Sequence, residues 1–516
     1  MKAKSLFIPL LAGSIFLSFN PILISWILSL FTQSLELPFV FNFYNLKRIL
    51  EFSFLLLSGF VLLSSRPSRL EVLHTFHSFS EETQIALALF FLLGLMSACL
   101  AIHPLSAFLG LSHAILWFMT GLLISKTIVS ERTSRLIDHT FVLSIGIYTF
   151  SALLSYFTHY HTYAHAELSQ EMMIRVSVYP EFLNPRFLAQ VFILTWPILI
   201  HFSVIHWKKK PMLSFLTLLI SGYWMALAIE NESRAIFLSL GIALIGFAIL
   251  FRKQRQLLAL WFKRFATSVV FGLLFSQILF SFGLGLPNAF LSLLERSQTV
   301  GSYTDRFQLW TYAFQHFILR YPLLGAGPLN FAAFPSPVGV AHPHNMMLQI
   351  ATEWGVPAAL LFAFVLCRGI GKSFIFLNHS LEHESADLKH RLRQATLSLI
   401  AIGGLIDSLV SGNTVMPFSQ LLIAVFLGWI IGVTHYALPQ KPLPDFWKKK
   451  KIKRLFSAVI LSCMLILISM AIFNLIQIAE SSPNGVPEVC KNHPHCTLPP
   501  LMWLPEQISP LSEWFS

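Results

Sequence analysis

Charge is what this sequence has least of. Asp, Glu, Lys and Arg make up 12% of its 516 residues, about half the share usual in soluble domains. It also lacks any polar stretch long enough to fold as a soluble domain, although a chain of this length has room for several. Cysteine is scarce, at five. Cys99, Cys367 and Cys463 lie in apolar runs and read as plain small hydrophobes. The other two stand in Cys490-Lys-Asn-His-Pro-His-Cys496, where a disulfide is the simplest reading on an oxidising side of a membrane. Metal binding with His493 and His495 is the alternative there.

What the sequence does have is hydrophobicity: 55% apolar residues and a mean hydropathy of +0.67. The apolar residues recur in blocks of roughly 17–25, the length a helix needs to cross a bilayer. The blocks are 7–31, 48–64, 84–102, 106–125, 139–158, 187–205, 212–229, 235–251, 266–285, 356–377, 395–411, 418–437 and 456–478. Helices satisfy their own backbone hydrogen bonds in lipid. The expectation is an all-α polytopic membrane protein with about 12–13 transmembrane helices. The first block is broken at Asn20-Pro21, which predicts a kink or a re-entrant segment. Met1-Lys2-Ala3-Lys4 resembles the head of a signal peptide, but no small-residue cleavage site with a soluble mature chain follows, so an uncleaved first span is expected.

The net charge of +12 invites a nucleic-acid reading, and its placement argues against one. Lys208-Lys209-Lys210, Arg252-Lys253-Gln254-Arg255, Lys263-Arg264, and Lys448 to Lys451 with Lys453-Arg454 fall on alternate connections between blocks. That is the positive-inside pattern, with contact to anionic lipid. It puts 65–83, 126–138, 206–211, 252–265, 378–394 and 438–455 in the cytoplasm, and 159–186, 286–355 and the tail outside. Four regions follow: an N-terminal membrane region, 1–285; one large periplasmic loop containing short helices, 286–355; a C-terminal membrane region, 356–478; and a periplasmic tail, 479–516.

Loops as long as 286–355 tend to carry function. Residues 303–319 read as an amphipathic helix with Thr304 as N-cap and Phe307, Trp310, Phe314 and Phe317 on one face. A turn-rich break follows, Tyr321-Pro-Leu-Leu-Gly325-Ala-Gly327-Pro328, and then His342-Pro343-His344-Asn345 and an apolar helix through Glu353-Trp354-Gly355. Arg186, Arg234 and Arg306 stand at outer boundaries. Each has a plain reading, as a snorkelling anchor or an ion pair such as Arg234 with Glu230 or Glu232. Anchoring arginines are expected chiefly on the cytoplasmic side, however, and three on the other face suggest a site for phosphate oxygens. A histidine titrates near working pH, so His344 is the candidate general base, with His342 beside it. A zinc site from this pair lacks a third ligand. His159, His161 and His165 read as solvated interfacial residues. Asp407, near Ser411-Gly-Asn413, is an ionisable group inside a span and hence a functional candidate.

Taken together, these motifs resemble the bacterial O-antigen ligase and O-antigen polymerase superfamily, which also holds the pilin-type protein O-oligosaccharyltransferases. The resemblance is strongest from Asp305 to Leu360: Arg306-x3-Trp310, Pro322-Leu-Leu-Gly-Ala-Gly327, His342-Pro-His-Asn345, Leu348-Gln349 and Glu353-Trp-Gly355. Asn184-Pro-Arg-Phe-Leu-Ala-Gln190 and Glu232-Ser-Arg-Ala235 are similar to the ligases, while an extra last span and the Cys490–Cys496 tail depart from a twelve-span ligase pattern.

The resemblance implies a metal-independent, inverting enzyme without cofactor. It would move a glycan from undecaprenyl pyrophosphate to an acceptor hydroxyl, lipid A-core for a ligase, at the periplasmic face of the inner membrane. The partners implied are the lipid-linked donor, the acceptor and the bilayer, and no nucleic acid. His344, Arg306 and Arg234 would act in catalysis. Arg186, His342, Asn345, Gly325, Gly327 and Glu353 would bind substrate, with Asn345 orienting His344 and Glu353 pairing with an arginine. A polymerase or a protein O-oligosaccharyltransferase fits the same motifs. A transporter of the lipid-linked glycan fits them less well, since no internal repeat is visible.

Overall fold

The computed structural model describes residues 2–21, 43–163, 182, 185–231, 233–283, 301–334, 341–382, 388–436, 444 and 449–480. Among these the protein is all-helical, with no strand. In chain order the helices are α1 (Lys2–Phe19), α2 (Phe43–Ser64), α3 (Arg66–His77), α4 (Glu81–Cys99), α5 (Pro104–Thr127), α6 (Glu131–Tyr163), α7 (Pro185–His206), α8 (Pro211–Glu230), α9 (Arg234–Leu250) and α10 (Arg255–Phe275), which continues as a π-helical segment, Ser276–Gly283. The long loop holds α11 (Gly301–Ala313), a π-helical turn Phe314–Ile318, a short turn of helix Asn330–Ala333, and α12 (Met346–Trp354). Then come α13 (Val356–Glu382), α14 (Leu388–Val410), α15 (Pro417–Tyr436) and α16 (Lys450–Glu480).

Each apolar block falls on one of these helices as far as it is described; 22–31 lies outside the described residues. Among the described residues, ten helices are long and apolar enough to cross a membrane. Of the remaining blocks, Phe7–Phe19 and Arg234–Leu250 are apolar but shorter, and α2 carries Lys47, Arg48 and Glu51 in its first turns.

Local sequence sets the helix ends. Pro104 and Pro211 open α5 and α8, where an N–H would have no intrahelical partner anyway. Ser65 caps α3 by accepting from the Ser68 amide. At Asn20-Pro21 the first helix stops: the Asn20 side chain donates back to the Phe16 carbonyl at 3.0 Å and across to Ser144 on α6 at 3.2 Å.

Burial separates axis from rim. The apolar window of α7 is 94% buried, that of α13 only 11%. Lipid is as apolar as the side chains it meets, so rim helices keep large hydrophobes outward, and packing rather than water exclusion holds the bundle. Trp196 of α7 shows this packing, edge-on to Trp261 with ring centroids 6.3 Å apart, its indole N–H satisfied by the Ser268 hydroxyl at 3.3 Å. On α15, a Cβ at Gly428 would lie 2.6 Å from the Gly121 carbonyl oxygen of α5, and one at Gly432 would lie 2.4 Å from that of Ser125. This four-residue spacing of glycines lets two backbones touch.

Successive spans alternate in direction, so the bundle has two ends. One carries the long loop. The basic clusters collect at the other, where buried Arg393 of α14 pairs with Glu131 at 2.6 Å and Asp138 at 2.9 Å on α6.

Candidate active site

The loop is built on its own helix. Leu309, Ala313 and Phe317 form its buried face, against Ala326 and Phe331. Phe307 and Phe314 point away from it and are exposed. The single aromatic face expected from the sequence is therefore split in two. The buried stripe of Leu309, Ala313 and Phe317 runs at four-residue spacing beside the aromatic one, and a π-helical turn, Phe314–Ile318, lies at its C-terminal end. The helix also begins earlier than expected, at Gly301, so Thr304 lies within it.

The Pro322–Pro328 break caps another helix. The Ala326 and Gly327 amides donate to the Thr352 and Glu353 carbonyls, both at 2.9 Å, and the Val356 amide donates to the Pro322 carbonyl at 2.9 Å. The last carbonyls of α12, which have no partner within their own helix, are thus satisfied. The fit demands glycine: Gly325, Gly327 and Gly355 all have positive φ. A Cβ on Gly325 would lie 2.4 Å from the Glu353 carbonyl carbon, and one on Gly327 would lie 2.3 Å from Ala101. The close approach these glycines permit is to the chain itself. The Ser97 hydroxyl donates to the Glu353 carbonyl at 2.8 Å, and the His103 amide donates to the Asn330 side chain at 2.8 Å, so the loop is pinned to α4 and to the α4–α5 connection.

The Glu353 carboxylate is buried; it accepts from the Leu329 amide at 3.0 Å, with the Gln349 side chain and the Phe331 backbone also acting on it, and no arginine stands among its described partners. Burial pushes its pKa from an ordinary 4.5 up to about 7, against the opposing bond from Leu329. A raised folded-state value means that folding takes up a proton between those limits. The stabilisation is complete below 4.5 and is lost as pH rises through about 7. The shift corresponds to about 3 kcal/mol. Glu353→Gln is therefore expected to flatten the pH dependence of thermal unfolding between about pH 5 and 8 and to melt above the parent protein at the alkaline end. Melting curves of the detergent-purified pair at the two pH values check this; parallel curves would rule it out.

The His342-Pro343-His344 turn lies between the loop and the membrane helices. The His342 ring is buried against Gly412, in the α14–α15 turn; a Cβ there would lie 2.3 Å from its Cε1. The His344 amide donates to His342 Nδ1 at 3.3 Å, and the two rings stand edge to face with centroids 4.2 Å apart. With Nδ1 accepting, a neutral His342 carries its proton on Nε2. His344 has φ +52, a left-handed conformation that costs a non-glycine residue roughly 1–2 kcal/mol. The Trp310 indole holds the turn from above by donating to the Pro343 carbonyl at 2.9 Å. Asn345 holds it from below. Its side chain caps α12 through the Leu348 amide at 2.9 Å and donates to the Leu409 carbonyl at 3.0 Å. Asn345 thus positions the backbone that follows His344.

Asp407, one turn before the end of α14, is buried, and the Asn413 side chain and, more weakly, Arg306 of the loop helix act on its carboxyl group. Arg306 is itself exposed. Arg234 opens α9 and is half-buried. Gly246 packs on Ile402 and Ala243 on Gly403, so α9 and α14 run antiparallel. Extending that register by nine residues, about 13 Å at the helical rise, puts Arg234 level with the α14–α15 turn. Arg186 falls in the first turn of α7, and its side chain lies outside the described residues, as do those of His159, His161 and His165 and the whole Cys490–Cys496 tail. Beside Asn345 opens an apolar cavity of about 480 Å³, lined by Trp310, Phe314, Met347, Leu348 and, from α13, Val356 and Leu360.

Sequence reasoning missed a second polar group at this end. Arg48 of α2 is buried and donates to Glu51 at 2.7 Å and to the Val415 carbonyl at 2.7 Å; Glu51 in turn meets His113 of α5 at 3.0 Å. Its signal was available: three ionisable residues at depth in apolar helices. Gln190, which opens the buried part of α7, donates to the Ser411 hydroxyl and accepts from that of Ser419.

These features define an all-helical polytopic membrane protein whose long loop clamps a histidine turn onto the span ends. Residues 199–363 match the family model described as O-antigen ligase. The matched stretch runs from α7 into α13 and takes in Arg234, Arg306 and the His342–Asn345 turn; Arg186 precedes it, and Asp407 follows it. Over these residues the chain is similar to the O-antigen ligases. The match supports the superfamily of ligase- and polymerase-type membrane glycosyltransferases that the motifs indicated. No curated protein matches the chain.

Proposed function

We propose that the protein transfers a glycan from undecaprenyl pyrophosphate to an acceptor hydroxyl at the periplasmic face of the inner membrane, with lipid A-core as the acceptor. The observation that carries this reading is the His342–Asn345 turn, fixed between the loop helix that bears Trp310 and Arg306 and the end of α14. An open apolar cavity beside the turn, walled by a span, suits a substrate whose tail stays in lipid. Placing the basic clusters in the cytoplasm puts the loop on the other face.

In the reaction, the acceptor oxygen attacks the anomeric carbon as His344 takes its proton. The bond from that carbon to the pyrophosphate oxygen breaks, and displacement from the back face inverts the centre. The negative charge gained by the departing undecaprenyl pyrophosphate is met by Arg306 and Arg234, with Arg186 a further candidate. Such a leaving group needs no separate acid, and no step calls for a metal.

The test is a gel and mass-spectrometric profile of lipopolysaccharide from a deletion strain and from the strain complemented with the wild-type gene. Loss of long O-chains from lipid A-core in the deletion, with polyprenyl-linked polymer accumulating and complementation restoring the ladder, is the expected result. A single capped repeat in the deletion would assign polymerisation instead, and an unchanged profile would remove lipopolysaccharide as the product.

A further inference from the structure

The buried Arg48–Glu51–His113 group lies outside the loop and away from the residues so far assigned to the reaction. Arg48 Nη1 donates to Glu51 Oε2 at 2.7 Å and to Gln420 Oε1 at 2.5 Å, and Nη2 donates to the Val415 carbonyl at 2.7 Å. Gln420 Nε2 donates to the Thr414 carbonyl at 2.6 Å. His113 Nε2 closes the group on Glu51 Oε1 at 3.0 Å. Three spans, α2, α5 and α15, thereby converge on two neighbouring carbonyls of one turn, residues 411–416.

That turn is the floor of the histidine site. Gly412 supports the His342 ring, and Leu409 just before the turn receives the Asn345 side chain. A buried ion pair is costly to desolvate, and well-packed apolar residues often hold a fold equally well. Stability alone therefore gives little reason for a guanidinium and a carboxylate here. Geometry gives one: only a rigid fork holds a carboxylate on one side and a backbone carbonyl on the other in fixed directions.

We propose that Arg48, held by Glu51 and His113 and assisted by Gln420, is a positioning residue that fixes the 411–416 turn as the seat of His342 and, through it, of His344. This rests on the reading of the His342–Asn345 turn as the reacting site.

The experiment compares the purified full-length protein with Arg48→Met, Gln420→Met and His344→Ala in proteoliposomes. Undecaprenyl-pyrophosphate-linked glycan is the donor and lipid A-core the acceptor. Melting curves and hydrogen exchange of 342–348 and 409–416 are followed alongside. Arg48→Met, which leaves Glu51 buried without its guanidinium, should melt below the parent, exchange faster in both segments, and lose about 10- to 100-fold in kcat with donor KM within about threefold. Gln420→Met, which leaves the ion pair in place and frees the Thr414 carbonyl, should move in the same direction by less. Parental kcat in a folded Arg48→Met would overturn the proposal. Should Arg48→Met fail to fold, Gln420→Met decides: parental kcat there makes the group purely structural. An active His344→Ala would instead sink the underlying reading of the site, whatever Arg48 does.

Discussion

His344→Ala is expected to lower glycan transfer by about 10²- to 10⁴-fold, the range that a positioned proton acceptor contributes, while leaving the folded protein intact. The two halves of that statement have separate grounds. His344 is half-buried, and its ring is not part of the loop's apolar core. The contacts that hold the turn are backbone or neighbouring groups: the His344 amide, the Pro343 carbonyl and the Asn345 side chain. Alanine keeps all of these and gives up the edge-to-face contact of the His344 ring with His342. His342→Ala should behave differently. Its ring fills the space over Gly412 and accepts from the His344 amide, so removing it leaves a hole and an unpaired donor. Activity and melting temperature should then fall together. Turnover at saturating donor, read with size-exclusion and melting profiles, separates the two variants. A His344→Ala protein within tenfold of the parent, roughly 1.4 kcal/mol in barrier, would take His344 out of the reaction.

The helices were legible because a bilayer allows so few solutions. Apolar runs of the right length, such as 187–205 and 212–229, fall on α7 and α8. The loop helix was legible as a helix, but its buried face was not. Leu309, Ala313 and Phe317 form that face and Phe307 and Phe314 lie outside it; both stripes have helical spacing, and which of them the rest of the loop covers is a tertiary fact. His342 and His344 stood out because two titratable rings flank a proline at a span boundary. The glycines of Gly325-Ala-Gly327 were legible as a turn, whereas the surface they fit, the carbonyl end of α12, is a tertiary fact. Arg48 was hardest to see. A basic residue at the start of an apolar run reads as an anchor, and its partners at Val415 and Gln420 are more than 360 positions away. Asp407 was visible as an ionisable group inside a span, but its coupling to Arg306 across the loop was not.

That coupling leads to the second large effect. Arg306→Ala is expected to cost about 10²- to 10³-fold in turnover, the loss typical when a fixed charge facing a developing anion is removed. The melting temperature should scarcely move, since the side chain is exposed. Two roles for Arg306 would both give that loss. It can meet the leaving pyrophosphate directly, or it can serve only to offset the buried Asp407 carboxylate, which would otherwise repel the anionic donor. A double-mutant cycle separates them. If Arg306 merely offsets Asp407, then Asp407→Asn removes the need for it, and the double variant should regain the activity of Asp407→Asn alone. If Arg306 binds phosphate oxygens, the double variant stays as slow as Arg306→Ala. Arg306→Lys sharpens the result: it keeps the charge that offsetting requires but loses the planar fork that matches two oxygens at once. The donor-binding role predicts that lysine recovers only a small part of the rate, with the double variant inactive. Arg234→Lys, level with the same turn on α9, should fail for the same reason. Full rescue of Arg306→Ala by Asp407→Asn would confine Arg306 to balancing a carboxylate and leave Arg234 as the cation facing the pyrophosphate.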